Sequence, residues 1–121
     1  MLRAIDRRQR EDEAPRLKSK VPNISELYLE IEEVIAGSST VVSRYVRRIV
    51  VDTAPALVEL PCGEAKCNDG GHDLTAAVMR ALHAGATEFR GEHACNGRVG
   101  AGGGACDRVL TYVGHAKYGP R

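Results

Sequence analysis

Four cysteines are the residues of this chain whose type and spacing could do chemistry. Cys62 and Cys67 are separated by four residues in "PCGEAKC", and Cys95 and Cys106 are separated by ten residues that include the loop "GRVGAGGG". Zinc takes a tetrahedron of soft ligands, commonly two from each of two chain reversals. The four thiols therefore predict one structural Zn²⁺ per chain, bound by Cys62, Cys67, Cys95 and Cys106.

The segments around the two cysteine pairs resemble a known kind of metal-binding domain. "PCGEAKC", together with "ACNGRVGAGGGAC" leading into "DRVLTYVGHAKY", resembles the two knuckles and closing strand of a zinc-ribbon-like domain. Neither pair has the usual two-residue spacing, and a helical segment lies between the pairs. The resemblance covers roughly the second half of the chain and implies a four-cysteine zinc site in a small sheet.

Other uses of the cysteines remain open at this stage. Two disulfides would need an oxidising compartment, and no apolar run typical of a secretory signal follows the early arginines. Redox-active thiols usually form a C-x-x-C pair at a helix start, a pattern that this chain lacks. The cysteines could also be unconnected. His72 and His93 lie close to the cysteines in sequence, so whether either contributes to the metal site is open as well.

A catalytic zinc would need an open coordination position and a nearby carboxylate as general base. Glu64 and Glu92 are the two candidates for that base. Four thiolates would close the coordination sphere and make the metal a poor Lewis acid, so a non-catalytic role is favoured. The glycine loop formally matches a dinucleotide fingerprint, but its position between two strands excludes that function.

The elements that must position the cysteines can be partly predicted. A helix over about 74–84 is indicated by an apolar stripe, with Asp73 as N-cap and Gly85 as stop. The segments 87–95 and 106–118 both alternate between apolar and polar residues, which predicts an antiparallel hairpin. The expected fold class is therefore α+β, with a small antiparallel sheet and one clear helix.

The segment before the first cysteine is less clear. Residues 24–36 fit either a helix, with an apolar stripe, a capping box and Gly37 as stop, or a half-buried strand; the stripe and caps slightly favour the helix. Further strands are expected near 45–52 and 56–61, on either side of Pro55.

Composition sets the organisation of the chain. Its 121 residues, with 17 basic and 16 acidic side chains, are enough for one modest domain and predict no general attraction to nucleic acid. Residues 1–21 are expected to form a disordered charged tail, 22–60 the first part of the domain, and 61–119 its zinc-binding part. No stretch approaches the roughly 18 apolar residues of a membrane span. We therefore expect a soluble, cytoplasmic protein.

The expected function is that of a structural zinc module acting as an adaptor or subunit, which docks a protein partner or a second copy of itself through 22–52. The main alternative is a nucleic-acid-binding protein with a basic face made of five arginines: Arg44, Arg47, Arg48, Arg98 and Arg108. A zinc enzyme is the least favoured alternative. The oligomeric state is open.

Overall fold

Antiparallel strands make up most of the structure, a computed structural model that describes residues 4–68, 70–100 and 104–119. The helices are α1 (Ala4–Glu13), α2 (Leu17–Lys20) and α3 (Thr75–His83). The strands are β1 (Ile24–Ile35), β2 (Val41–Ile49), β3 (Glu59–Leu60), β4 (Cys67–Asn68), β5 (His72–Asp73), β6 (Glu88–Ala94), β7 (Arg98–Val99), β8 (Gly104–Ala105) and β9 (Arg108–Tyr118). This mixed, strand-dominated fold has the expected antiparallel pairing and the one clear helix.

The main sheet has four strands in the order β2-β1-β9-β6, and each neighbouring pair is antiparallel. The two longest strands, β1 and β9, lie at its centre. The predicted hairpin is confirmed, because β6 pairs with β9 from Glu88 opposite His115 to Ala94 opposite Val109. The backbone N–H of Cys95 extends this pairing by donating to the carbonyl of Arg108 at 2.9 Å.

Residues 24–35 form a strand, so the slight preference for a helix was wrong. Leu27, Leu29 and Ile31 are buried and point to one face of the sheet, opposite Ala116, Gly114 and Tyr112 of β9. A helix would have scattered this alternating set around its axis. The apolar residues of this segment also fit the spacing of a helix. Its pairing with both β2 and β9 shows that it adopts the two-residue repeat of a strand.

One face of the main sheet, here called the inner face, carries the core. Alternate residues of β1 and β9 point inward, and they share the core with Val78 and Leu82 of α3 and with Leu74, which precedes that helix. Val78 is fully buried, which confirms that the apolar stripe of α3 faces the sheet. The opposite, outer face is formed by the intervening residues and is not covered by any described helix.

The ends of α3 agree with the sequence signals. The Asp73 carboxylate accepts a hydrogen bond at 3.0 Å from the backbone N–H of Thr75, although the residue immediately before the helix is Leu74. Gly85 has φ +74°, a left-handed conformation that glycine adopts without strain. The helix therefore ends next to Gly85 as predicted, and it begins one residue later than an N-cap at Asp73 would place it.

Two small sheets at one end of the main sheet carry the cysteine segments. β3 pairs with β5, and β7 pairs with both β4 and β8. The strand expected near 45–52 begins four residues earlier and ends at Ile49, and that expected at 56–61 is reduced to β3. Residues 101–103 of the glycine loop lie outside the described residues.

In the segment 1–21, expected to be a disordered charged tail, the described residues include α1 and α2. Leu17 and Val21 of this segment are buried in the core. Arg10 pairs with Glu59 at 2.9 Å, which ties α1 to β3. The few apolar residues of this segment are enough to hold it in the fold, because residues distant in sequence pack against them and pair with Arg10.

The described helices include none that is long and apolar enough to cross a membrane.

Replacing a buried residue at the centre of the sheet tests this core. Leu29→Ala is expected to lower the free energy of unfolding by about 2–5 kcal/mol, because it leaves a cavity at a fully buried position. Val46→Ala, at a side chain that is 53% exposed, should change it by less than about 0.5 kcal/mol. Urea denaturation measures both, and equal losses would contradict the assignment of the inner face.

Candidate metal centre

The structure brings all four cysteines together. Cys62 follows β3, Cys67 begins β4, Cys95 follows β6 and Cys106 follows β8. Their four Sγ atoms all lie within 4.8 Å of one another. Two of the separations join the two halves of the cluster, with 3.7 Å from Cys62 to Cys106 and 3.6 Å from Cys67 to Cys95. The cluster could therefore hold a metal ion.

These separations suit a single tetrahedral ion. Four sulfurs at about 2.3 Å from a central zinc lie about 3.8 Å from one another. A disulfide would instead require sulfurs about 2.05 Å apart. The observed 3.6 and 3.7 Å match the tetrahedron, and the four thiols are unbonded. The spacing of ten residues between Cys95 and Cys106 is absorbed by β7 and β8, which bring the ends of the loop together.

Backbone N–H groups point at two of the sulfurs. The N–H of Glu64 donates to Cys62 Sγ at 3.5 Å, and the N–H of Gly97 donates to Cys95 Sγ at 3.4 Å. In both cases the donor lies two residues after the cysteine, so each pair of cysteines begins with the same kind of turn. Such donors stabilise negative charge on sulfur and orient it toward a metal.

Two glycines allow the chain to pass close to the sulfurs. A Cβ at Gly70 would lie 2.3 Å from Cys67 Sγ and 2.5 Å from Cys95 Sγ, and one at Gly97 would lie 2.5 Å from Cys67 Sγ. Real Cβ atoms do not approach other atoms so closely. Nothing in the sequence distinguishes these two glycines from the glycine-rich run at 100–104, because their close approach to the sulfurs depends on the tertiary fold.

Burial affects the thiols unequally. It raises the pKa of Cys67 to about 12 and also raises the pKa of Cys62. Burial acts in the same direction on Cys95, but N–H donors from Gly97 and Gly71 outweigh it and lower the pKa of that thiol. Thiols of this kind hold protons that a metal must displace, so metal binding releases protons.

A buried polar group supports the cluster on the side of the main sheet. Glu33 of β1 is 3% exposed and accepts a hydrogen bond at 2.9 Å from the backbone N–H of Gly63, next to Cys62. Arg108 Nη1 lies 3.5 Å from the Glu33 carboxylate, and Arg108 Nη2 lies 2.9 Å from that of Glu64. The sequence did not identify Glu33 as part of the site, because a helix was favoured for this segment. In a strand, Glu33 lies on the same inward face as Ile31, and a buried charge on that face indicates a functional or structural role.

His72 and His93 lie beside the cysteines and contact each other. Their Nδ1 atoms are 3.0 Å apart, and His72 is fully buried. Burial, and then the neighbouring His93, lower the pKa of His72, which keeps its ring neutral. Its Nε2 atom has no hydrogen-bond partner among the described residues.

His72 does not complete an equally good second site. Its Nε2 lies 3.9 Å from Glu33 Oε2, and both atoms lie within 4.8 Å of Cys62 Sγ. Two ligands bound at about 2.0–2.1 Å in a tetrahedron would be about 3.4 Å apart. Arg108 already balances the Glu33 carboxylate. The four sulfurs, whose spacing is tighter, are the better metal site, and the histidine lies next to it.

The two candidate general bases, Glu64 and Glu92, lie in different surroundings. Glu64 is paired with Arg108, and the N–H of Lys66 together with that guanidinium lowers the pKa of Glu64. Glu92 is exposed on β6 opposite Thr111, on the outer face, whereas its neighbour His93 points inward.

The five arginines of the expected basic face are not on one surface. Arg44 and Arg48 lie on the outer face of β2, while Arg47 lies between them on the opposite face. Arg108 has a side chain only 16% exposed beside the cysteine cluster. Arg98 is part of β7 in a small sheet. The alternation of side chains along a strand separates residues that the sequence places together.

Comparison with known proteins gives no match to a protein family, to a curated protein or to a solved structure.

Substitution of a glycine next to the sulfurs tests the geometry of the cluster. Gly70→Ala should weaken zinc binding roughly five- to hundredfold, since accommodating a Cβ in a packed site costs about 1–3 kcal/mol. Gly104→Ala is the matched control, because a Cβ there meets nothing within 4 Å. Competition with a chromophoric chelator measures both affinities; equal affinities would mean that the sulfurs do not meet as described.

The buried histidine can be tested in the same way. His72→Ala is expected to reduce zinc affinity about 10–100-fold, as is typical when a group supporting a metal site is lost. His83→Ala, on the exposed last turn of α3, should leave the affinity unchanged. Equal zinc affinities of the two variants would show that His72 does not contribute to zinc binding.

Proposed function

We propose that this chain is a structural zinc-binding module that serves as a subunit or adaptor in a protein assembly. The observation that carries the proposal is the cluster of four sulfurs within 4.8 Å of one another, two of whose separations match those of a zinc tetrahedron. A zinc ion with four protein ligands has no open position for water or substrate, which is characteristic of structural sites. Glu33 accepts a hydrogen bond from the backbone next to Cys62 and so serves to hold that ligand in place.

Zinc is the metal that best fits this ligand set. Thiolate ligands select zinc, copper(I) and iron–sulfur chemistry over hard cations, and a closed tetrahedron of sulfurs favours zinc or iron. An ion bound here would link β3 and β4 to β6 and β8, and its binding energy would add to the folding energy. The two turns with N–H donors to Cys62 and Cys95 support the likeness to a zinc ribbon.

Four reduced thiols suit a reducing compartment such as the cytoplasm. The surface favours protein docking over nucleic-acid binding. Affinity for nucleic acid depends on basic side chains gathered toward the phosphates, whereas the arginines of β2 alternate between two faces. Exposed apolar side chains, in contrast, are concentrated on and next to that strand.

Metal analysis of the purified protein tests the zinc site directly. Protein produced without added zinc should contain about one zinc per chain, and a strong chelator should unfold it, because the metal contributes folding energy. Cys106→Ser should bind zinc much more weakly and unfold at lower temperature, as followed by circular dichroism. Iron in place of zinc, or full folding of metal-free, fully reduced protein, would contradict the proposal.

A further inference from the structure

Exposed apolar residues are concentrated along one edge of the main sheet. Among the described residues, five large apolar side chains are exposed, and all belong to β2 or directly follow it: Val41, Val42, Tyr45, Val46 and Val50. Single exposed apolar residues are common on protein surfaces, but a contiguous group marks an interaction site. The main sheet therefore has one distinctive edge, here called the β2 edge.

The backbone of the β2 edge is available for pairing. β2 is the terminal strand in the order β2-β1-β9-β6, and its only strand neighbour in the described part of the chain is β1. It is nine residues long, or about 30 Å, which is long for an open edge. Such an edge presents N–H and C=O groups that can form a ladder with another strand.

The charge of β2 indicates what would pair with it. The strand contains three arginines and no acidic residue. Arg44 is paired with Glu32 at 2.6 Å, and Arg48 lies over the ring of Tyr28 at 5.5 Å, so both are held in place on the outer face. Arg47 points to the other face and has no salt bridge among the described residues. A strand added here would meet positive charge on both faces.

The same arginines disfavour a second copy of this chain as the occupant. In an antiparallel pairing of two β2 strands centred on Tyr45, Arg44 of each copy lies diagonal to Arg44 and Arg48 of the other. Like charges at such cross-strand positions are destabilising. Charged residues on an edge are a common protection against self-association, and they act here without blocking a strand of opposite charge.

The outer face of the sheet is less suited to binding. Away from β2, several of its charged residues are already paired across strands: His115 Nε2 lies 2.6 Å from Glu30, and Lys117 Nζ lies 3.6 Å from Glu26. Charged pairs of this kind are typical of the solvent-exposed face of an antiparallel sheet. The β2 edge differs from the rest of the outer face because it combines unpaired backbone groups with exposed apolar side chains.

We propose that the β2 edge binds an extended acidic segment of a partner protein as a fifth strand of the main sheet. Acidic side chains of that segment face Arg44, Arg47 and Arg48, and apolar side chains cover Tyr45 and Val46. Backbone hydrogen bonds supply affinity, and the alternating side chains supply specificity. This inference rests on the proposed function and names the class of partner for it.

A designed peptide tests the inference with the full zinc-loaded chain. A fluorescent peptide with the repeat Glu-Glu-Val-Val, which places glutamates on both faces of an added strand, should bind, as measured by anisotropy. The same peptide with lysine in place of each glutamate should not. Arg47→Glu should weaken binding of the acidic peptide at least tenfold. Arg80→Glu, an equal change of charge at an exposed position on α3, should not alter it. Equal binding of the two peptides, or equal effects of the two variants, would overturn the proposal.

Two further measurements separate strand addition from other outcomes. N-methylation of alternate peptide bonds along one edge of the acidic peptide should abolish binding, since it removes ladder hydrogen bonds; unchanged binding would overturn strand addition. Light scattering should report a monomer without peptide, and a dimer disrupted by Val46→Lys would assign the edge to a second copy instead. Zinc content is measured in every sample, so loss of peptide binding by a folded, zinc-loaded protein counts against this inference alone.

Discussion

Two segments separated by α3 and β6 have to return to one place for the four sulfur atoms to meet. The distances of 3.6 and 3.7 Å that join the two halves of the cluster express this constraint. Neither cysteine pair supplies four ligands alone, and each sulfur lies within 3.7 Å of a sulfur from the other segment. The small sheets, the close-packed glycines and the turns with N–H donors all serve this convergence.

The main sheet takes part in the same arrangement through buried polar groups. Glu33 extends from the central strand β1 to the backbone next to Cys62, and Arg108 begins the other central strand, β9. A buried carboxylate is costly unless it is paired and hydrogen-bonded, and here both conditions are met. The geometry of the cluster is therefore coupled to the register of the two long strands.

Much of the local structure could be predicted from the sequence. The predictions that failed concern segments whose structure depends on contacts with distant residues. The helix α3 and the hairpin of β6 and β9 follow from caps and alternation, which are properties of neighbouring residues. Residues 24–35 carry both the period of a helix and that of a strand, and only pairing with β2 and β9 resolves the conflict. Helices α1 and α2 have little apolar surface of their own, so their contacts with distant residues could not be foreseen.

The sequence by itself determined which residues could form a metal site, because the four cysteines are the only soft ligands of their kind in the chain. It also determined the ends of α3, because capping depends on residues adjacent to the helix. Tertiary structure alone decided that Glu33, His72 and Arg108 gather around the cluster and that the arginines of β2 lie on opposite faces. Those relations depend on strand direction, register and long-range closure, which neighbouring residues do not encode.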